Sequence, residues 1–231
     1  MKPEFERLAE SYRKFRIGYS PQTIETLSRE STGDTLDAAI GTGLLAELLR
    51  PHVRRIVGID ISRAMISKTR PPVVVAAAEH LPLRGGAFDM VTCAEAYHWF
   101  DRPRVMFEFR RVLRPGGLIA LIWKSPADGE PYRPLSHDLF QEITGRPYRS
   151  AMPPEMLEEI VAGWHSDRFE WEVEWTVDHY VGCFSSWEAM RQQLGPLREQ
   201  FLDSFRSRLD QLVGGRPFRE RIVDKVYTMR V

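Results

Sequence analysis

Residues 36–46 read Leu36-Asp37-Ala38-Ala39-Ile40-Gly41-Thr42-Gly43-Leu44-Leu45-Ala46, and the folding of this stretch decides the rest of the chain. An apolar run carrying one acid ends at two glycines, and a second apolar segment follows. This is the pattern of a buried strand turning tightly into a helix, where backbone N–H groups can approach an anionic ligand group closely. Gly41 to Ala46 satisfies G-x-G-x-x-A, and Asp60 stands about twenty residues further on, where a carboxylate can accept hydrogen bonds from ribose hydroxyls. The glycines by themselves leave NAD, another adenosine cofactor and a ligand-free βα turn all open.

Working outward, residues 35–40, 55–59, 73–77, 88–94 and 118–123 are short apolar runs of the kind buried on both faces of a parallel sheet. Between them lie helix-like pieces at 44–49, 63–69 (with Ser62 as N-cap and Pro71 as stop) and about 103–113, and Pro115-Gly116-Gly117 reads as a turn. Upstream, Phe5, Leu8, Tyr12 and Phe15 recur at helical spacing, and Ser20-Pro21 starts a second helix with Ile24 and Leu27 on one face. After Trp123 the pattern loosens into a segment rich in Pro and Gly with two helices, a strand over 169–180, two helices over 185–212 broken at Gly195-Pro196, and a last strand over 222–231. The alternation predicts an α/β fold, a doubly wound, Rossmann-like, seven-stranded and mostly parallel sheet with helices on both faces and a helical cap inserted in the C-terminal part. We expect a single domain over 1–231, with N-terminal helices over the cofactor site at 1–33, a cofactor-binding half at 34–125, and the last strands plus cap helices at 126–231.

Composition narrows the partners. With 231 residues, 43% of them hydrophobic, the chain can bury a substantial core. Its 32 basic and 32 acidic residues give a formal net charge of +0, which advertises no attraction to nucleic acid or to an anionic membrane. Cys93 and Cys183 lack CxxC spacing, and the six histidines are scattered without ligand spacing, so neither a disulfide framework nor a metal site is expected. The N-terminus has no apolar signal core and the longest apolar run is 73–78, so a cytoplasmic protein, monomer or homodimer, is expected.

Asp37 lies four residues before Gly41, giving D-x-A-x-G-T-G, and nicotinamide proteins have no need of an acid there. With Val57-Gly58-Ile59-Asp60-Ile61-Ser62, Ala78-Glu79-His80-Leu81-Pro82-Leu83, Phe88-Asp89-Met90-Val91 and Arg111-Val112-Leu113-Arg114-Pro115-Gly116-Gly117, in that order, residues 35–123 resemble the class I S-adenosylmethionine-dependent methyltransferases. Ala39 departs from the usual D/E-x-G-x-G-x-G. The segment from Ala94 to Phe100, which reads A-x-x-x-H-W-F, is similar to a subgroup of small-molecule, type 11 methyltransferases that includes trans-aconitate methyltransferase, and Tyr12 to Pro21 is similar to the subgroup's N-terminal pattern.

The resemblance implies S-adenosyl-L-methionine as cofactor and a small-molecule acceptor, with a carboxylate or hydroxyl favoured. It implies a cofactor site of Asp37, Ala39, Gly41, Gly43, Asp60, Ile61, Met65, Ala78, Glu79 and Glu95, with Tyr12 and Arg16 from the N-terminal segment. Asp60 would take the ribose diol, Asp37 the methionine ammonium, Arg16 the methionine carboxylate, and Ile61 and Met65 the adenine faces. Tyr19, His98 and Trp99 would meet the acceptor. His98 is also a candidate general base, although methyl transfer from a sulfonium to an anionic or amine acceptor chiefly requires in-line placement. The base-flipping motif of amino-group methyltransferases is missing after the fourth strand. An NAD(P)-dependent oxidoreductase using the same turn, and a non-catalytic S-adenosylmethionine-binding regulatory protein, are the rival readings.

Overall fold

The computed structural model describes residues 8–67 and 69–231. The first strand, β1 (Asp34–Ala38), is buried along its whole length, as a strand covered on both faces must be. It pairs in parallel with β2 (Arg55–Asp60) and β4 (Phe88–Ala94), β2 pairs in parallel with β3 (Val73–Val75), and β4 with β5 (Leu113–Pro126). With β6 (His165–Trp175) and β7 (Phe218–Arg230) they form one seven-stranded sheet in the order β3-β2-β1-β4-β5-β7-β6. The backbone bonds Gly116 N to Val231 O and Ala127 N to Arg221 O join opposite ends of β5 and β7, so β7 runs antiparallel to its neighbour. The order reverses direction between β1 and β4, which makes the carboxyl ends of these two strands the switch point where doubly wound sheets form their ligand crevice.

Helices form where the caps and breakers place them. The Ser20 hydroxyl accepts from Thr23 N at the start of α2 (Pro21–Glu30), and that of Ser62 from Met65 N at the start of α4 (Arg63–Ile66). The preceding helix, α1, spans Ala9–Phe15, and the expected earlier start at Phe5 lies outside the described residues. Three expectations are corrected. The helix expected over 63–69 stops at Ile66. Pro115-Gly116-Gly117 does not end the preceding element: a step of two residues along β4, Phe88 to Met90, is matched by a step of five along β5, Leu113 to Leu118, so the turn is a bulge inside the strand. The strand expected to reach Tyr180 ends at Trp175, because Thr176 caps a helix, its hydroxyl accepting from His179 N.

Two compact units emerge from the packing, one of Met1–Arg16, Ser125–Met156 and Glu170–Val223, the other of Ile17–Lys124, Leu157–Phe169 and Asp224–Val231. The second unit holds strands β1 to β4 and most of β5, with a core that includes Leu27, Ile40, Leu45, Leu49, Ile56, Met90, Leu118, Ile122 and Val226. Gly58 serves this core directly, since a Cβ there would stand 2.3 Å from the Cδ1 of Ile40. Asp224, fully buried on β7, accepts from the backbone N–H of Ser20 at 2.7 Å and from the Thr23 hydroxyl at 2.8 Å, fixing the start of α2. The first unit has an aromatic core in which Phe140 and Phe205 are fully buried and Tyr180 is packed among Trp175, Phe184 and Phe218. No helix among the described residues is long and apolar enough to cross a membrane.

Candidate functional site

At the carboxyl end of β1 the backbone enters the left-handed region three times, at Ala39 (φ 55°), Gly41 (φ 56°) and Gly43 (φ 86°). The glycines suit both this conformation and the crowding: a Cβ on Gly41 would lie 3.3 Å from Met65 Cε, and one on Gly43 3.0 Å from Thr69 Cγ2. Ala39 has no such freedom and carries local strain. Between the glycines, the Thr42 hydroxyl is buried with no partner in the protein, an orphan that a bound ligand would satisfy.

Asp60, at the end of β2, ties this turn to the next. Its carboxylate accepts from Gly41 N at 2.9 Å and from Ser62 N at 2.8 Å, which orients both oxygens at the crevice. Beside it Ile61, in the bend between β2 and α4, exposes 66% of its surface, while Met65 and Ala78 are buried. A flat apolar ligand would cover Ile61. Asp37 lies one layer deeper, buried, with Oδ1 accepting from the Thr92 hydroxyl at 2.7 Å; burial, opposed by that hydrogen bond and reinforced by the charge of Asp60, raises its pKa to about 7. Glu79 accepts from Asp101 N at 3.2 Å, which positions it beside the segment that follows β4.

That segment begins with a second strained residue. Glu95 has φ 58°, and its carboxylate accepts from Lys124 N at 2.6 Å. The Lys124 ammonium donates to the carbonyls of Ile17 and Gly18, both at 2.8 Å, and stands 3.7 Å from the centre of the Tyr19 ring. Lys124 thus straps the stretch before α2 to the end of β5, and Tyr19 is placed by it. His98 sits in the short 3-10 turn Tyr97–Trp99, its ring 4.8 Å from that of Trp99, and its Nδ1 accepts from Trp123 Nε1–H at 3.3 Å. Burial lowers its pKa to about 4, so the imidazole is neutral near pH 7 with its proton on Nε2.

Tyr12 and Arg16 belong to the other unit. There Arg16 donates to Ser186 Oγ at 2.7 Å and Ser186 O at 3.3 Å, and stacks 4.6 Å from the Tyr12 ring centre. The remaining predicted site residues, Asp37, Ala39, Gly41, Gly43, Asp60, Ile61, Met65, Ala78, Glu79, Glu95, Tyr19, His98 and Trp99, all fall within one unit. Thr42, Thr92, Trp123 and Lys124 were missed. For Thr92 the signal is a lone hydroxyl in an apolar strand, in register with Asp37.

Residues 36–121 match the methyltransferase domain family. This segment is similar to methyltransferase domains. Over 120 residues the chain is 35% identical to an uncharacterised methyltransferase of Mycobacterium tuberculosis, covering 50% of this chain and 49% of that one. Over 97 residues it is 37% identical to malonyl-[acyl-carrier protein] O-methyltransferase of Dechloromonas aromatica, covering 40% of this chain and 37% of that one. The chain spans about half the length of the curated relatives it matches. Among solved structures, one from Anaeromyxobacter dehalogenans, described as a candidate type II methyltransferase, superposes with a TM-score of 0.72 at 24% identity, covering 94% of this chain and 98% of that one. The two chains therefore share their fold.

Proposed function

We propose that this protein transfers a methyl group from S-adenosyl-L-methionine to a small-molecule acceptor, with a carboxylate or hydroxyl as the receiving oxygen. The observation that carries this is the crevice at the switch point, where Asp60 ties the left-handed turn at Gly41 to the helix start at Ser62, beside the orphaned Thr42 hydroxyl and the exposed Ile61. The residues fit the cofactor's parts: Asp60 offers a carboxylate to a diol, Thr42 a hydroxyl, Ile61 and Met65 apolar faces, and Asp37 a buried carboxyl for an ammonium. Bound there, S-adenosylmethionine supplies an electrophilic methyl group on a sulfonium.

The protein's own part is to bind, orient and exclude water. A general-base role for His98 does not suit its surroundings, because the Nδ1 lone pair is engaged by Trp123 and the ring is a weak base at a pKa of about 4. His98 is better read as a hydrogen-bond donor through Nε2–H that orients an anionic acceptor. An O-methyl acceptor also agrees with the malonyl-carrier relative, whose acceptor name denotes a carboxylic acid. Titration calorimetry with S-adenosylhomocysteine and with NAD tests the cofactor. S-adenosylhomocysteine is expected to bind and NAD not to; the reverse would assign the turn to a nicotinamide enzyme. Labelled-methyl transfer across carboxylic acids, phenols and amines then tests turnover, and inactivity throughout despite tight binding would favour a regulatory protein.

A further inference from the structure

In the unit that holds Arg16, a second group of polar side chains lacks the partners that buried donors require. The helix α6 (Tyr132–Thr144) places Arg133 and His137 one turn apart on the same face. Arg133 Nε and His137 Nε2 are both sealed from solvent, and neither meets a hydrogen-bond partner. The same holds for the indole Nε1 of Trp187, the residue that precedes α9 (Glu188–Leu194). Buried polar nitrogens are nearly always paired, so three in one neighbourhood require an explanation.

Tyr148 and Arg16 connect them. The Tyr148 ring lies 5.1 Å from that of His137, and its phenol feels the charge of both Arg133 and Arg16. The Arg16 guanidinium stands 6.0 Å from the Trp187 ring centre. Among the described residues Arg133 makes no ion pair. Two acids reach the neighbourhood electrostatically. Asp138 is exposed beside His137, and Glu220 is buried and already accepts from the Tyr180 hydroxyl at 2.8 Å. Neither meets the orphaned nitrogens.

We propose that Arg133, His137, Tyr148 and Trp187 form a binding site for the carboxylate group of a small carboxylic acid. A carboxylate is planar, acceptor-only and anionic, so it can take the Arg133 and Trp187 N–H groups and a neutral imidazole N–H together, and a guanidinium is the side chain best shaped to hold it. Nothing in the cluster needs a nucleophile or a metal.

The test uses the full chain saturated with S-adenosylhomocysteine and titrated calorimetrically with acetate, benzoate, succinate, glutarate and inorganic phosphate. At least one carboxylate is expected to saturate, and Arg133→Gln and Trp187→Phe are each expected to weaken it by about tenfold or more. S-adenosylhomocysteine affinity should change by less than about twofold, since neither residue belongs to the cofactor crevice. The Trp187→Phe variant keeps an aromatic ring to pack on Phe184, 4.2 Å away between ring centres in the wild type, and removes the N–H along with part of the indole, so it remains informative if the arginine variant does not fold. A structural role would be revealed by a fall in Tm for Arg133→Met, whereas removal of an unpaired donor should leave Tm unchanged or higher. The proposal is overturned if no carboxylate saturates the wild type, if phosphate alone does, or if both variants bind as the wild type does. Failure of the wild type to bind S-adenosylhomocysteine, with carboxylate binding intact, would instead overturn the methyl-transfer reading and leave the site standing.

Discussion

Ala39 is the residue at which this chain departs from the family pattern, and its φ of 55° explains what glycine does there. A left-handed alanine costs about 1–2 kcal/mol, against which glycine's greater freedom in the unfolded chain sets about 0.5–1 kcal/mol. Ala39→Gly should therefore stabilise the protein by about 0.5–1 kcal/mol in urea unfolding; a loss would show that the alanine methyl packs. At Asp60 the outcome concerns binding. Asp60→Asn should weaken S-adenosylhomocysteine at least tenfold, about 1.4 kcal/mol, and unchanged affinity in calorimetry would remove the ribose assignment. Asp37 makes both stability and affinity depend on pH. Its folded pKa, about 7, lies above the ordinary 3.8, so the folded state holds a proton that the unfolded chain has released between those values. Its contribution to stability is full below about pH 4 and is lost as pH rises through 7. An ammonium ligand selects the ionised form, so binding should tighten from pH 6 to pH 8 with proton release measurable in buffers of different ionisation enthalpy. Asp37→Asn should abolish that release and flatten the pH dependence of Tm relative to the wild type.

Elements were legible where their signals are local. Ser20-Pro21 and Ser62 announced their helices, and the strand, two glycines and helix at 36–46 form over a single short stretch. The end of β6 was hidden because Trp171, Val173 and Trp175 alternate as a strand should, and Val177 and Tyr180 continue as apolar residues although they lie on a helix. The overlooked clue was Thr176, an N-cap, and Thr176→Ala should cost about 1 kcal/mol, read as a lower urea midpoint. In the crevice, Gly41 and Asp60 could be read from spacing, whereas the partners of His98 and Asp37 depend on which strands become neighbours. The strap from Lys124 to Ile17 joins residues 107 apart in sequence, and no local pattern records such a pairing. Its mechanical role is nonetheless testable. Lys124→Met removes the donor to two carbonyls, and hydrogen exchange at the amides of residues 17–20 should quicken while those of β1 do not change. Equal protection in the variant would mean that the segment is held by other contacts.

The whole molecule carries a formal net charge of +0 and a pI near 7.0. Self-association is then least opposed by charge at neutral pH, so light scattering should detect the greatest tendency to aggregate near pH 7 at low salt, with relief at pH 6 and pH 8. A constant scattering signal across that range would indicate that local patches, not overall charge, govern contact between molecules. The buried carboxylate of Asp224 has a consequence in time. It caps the region where α2 begins across a separation of 201 to 204 residues. During synthesis the Ser20 and Thr23 donors must wait until Asp224 has left the ribosome, and closing so long a loop is slow as well as late. The start of α2 should therefore be among the last parts of the nascent chain to acquire its native hydrogen bonds.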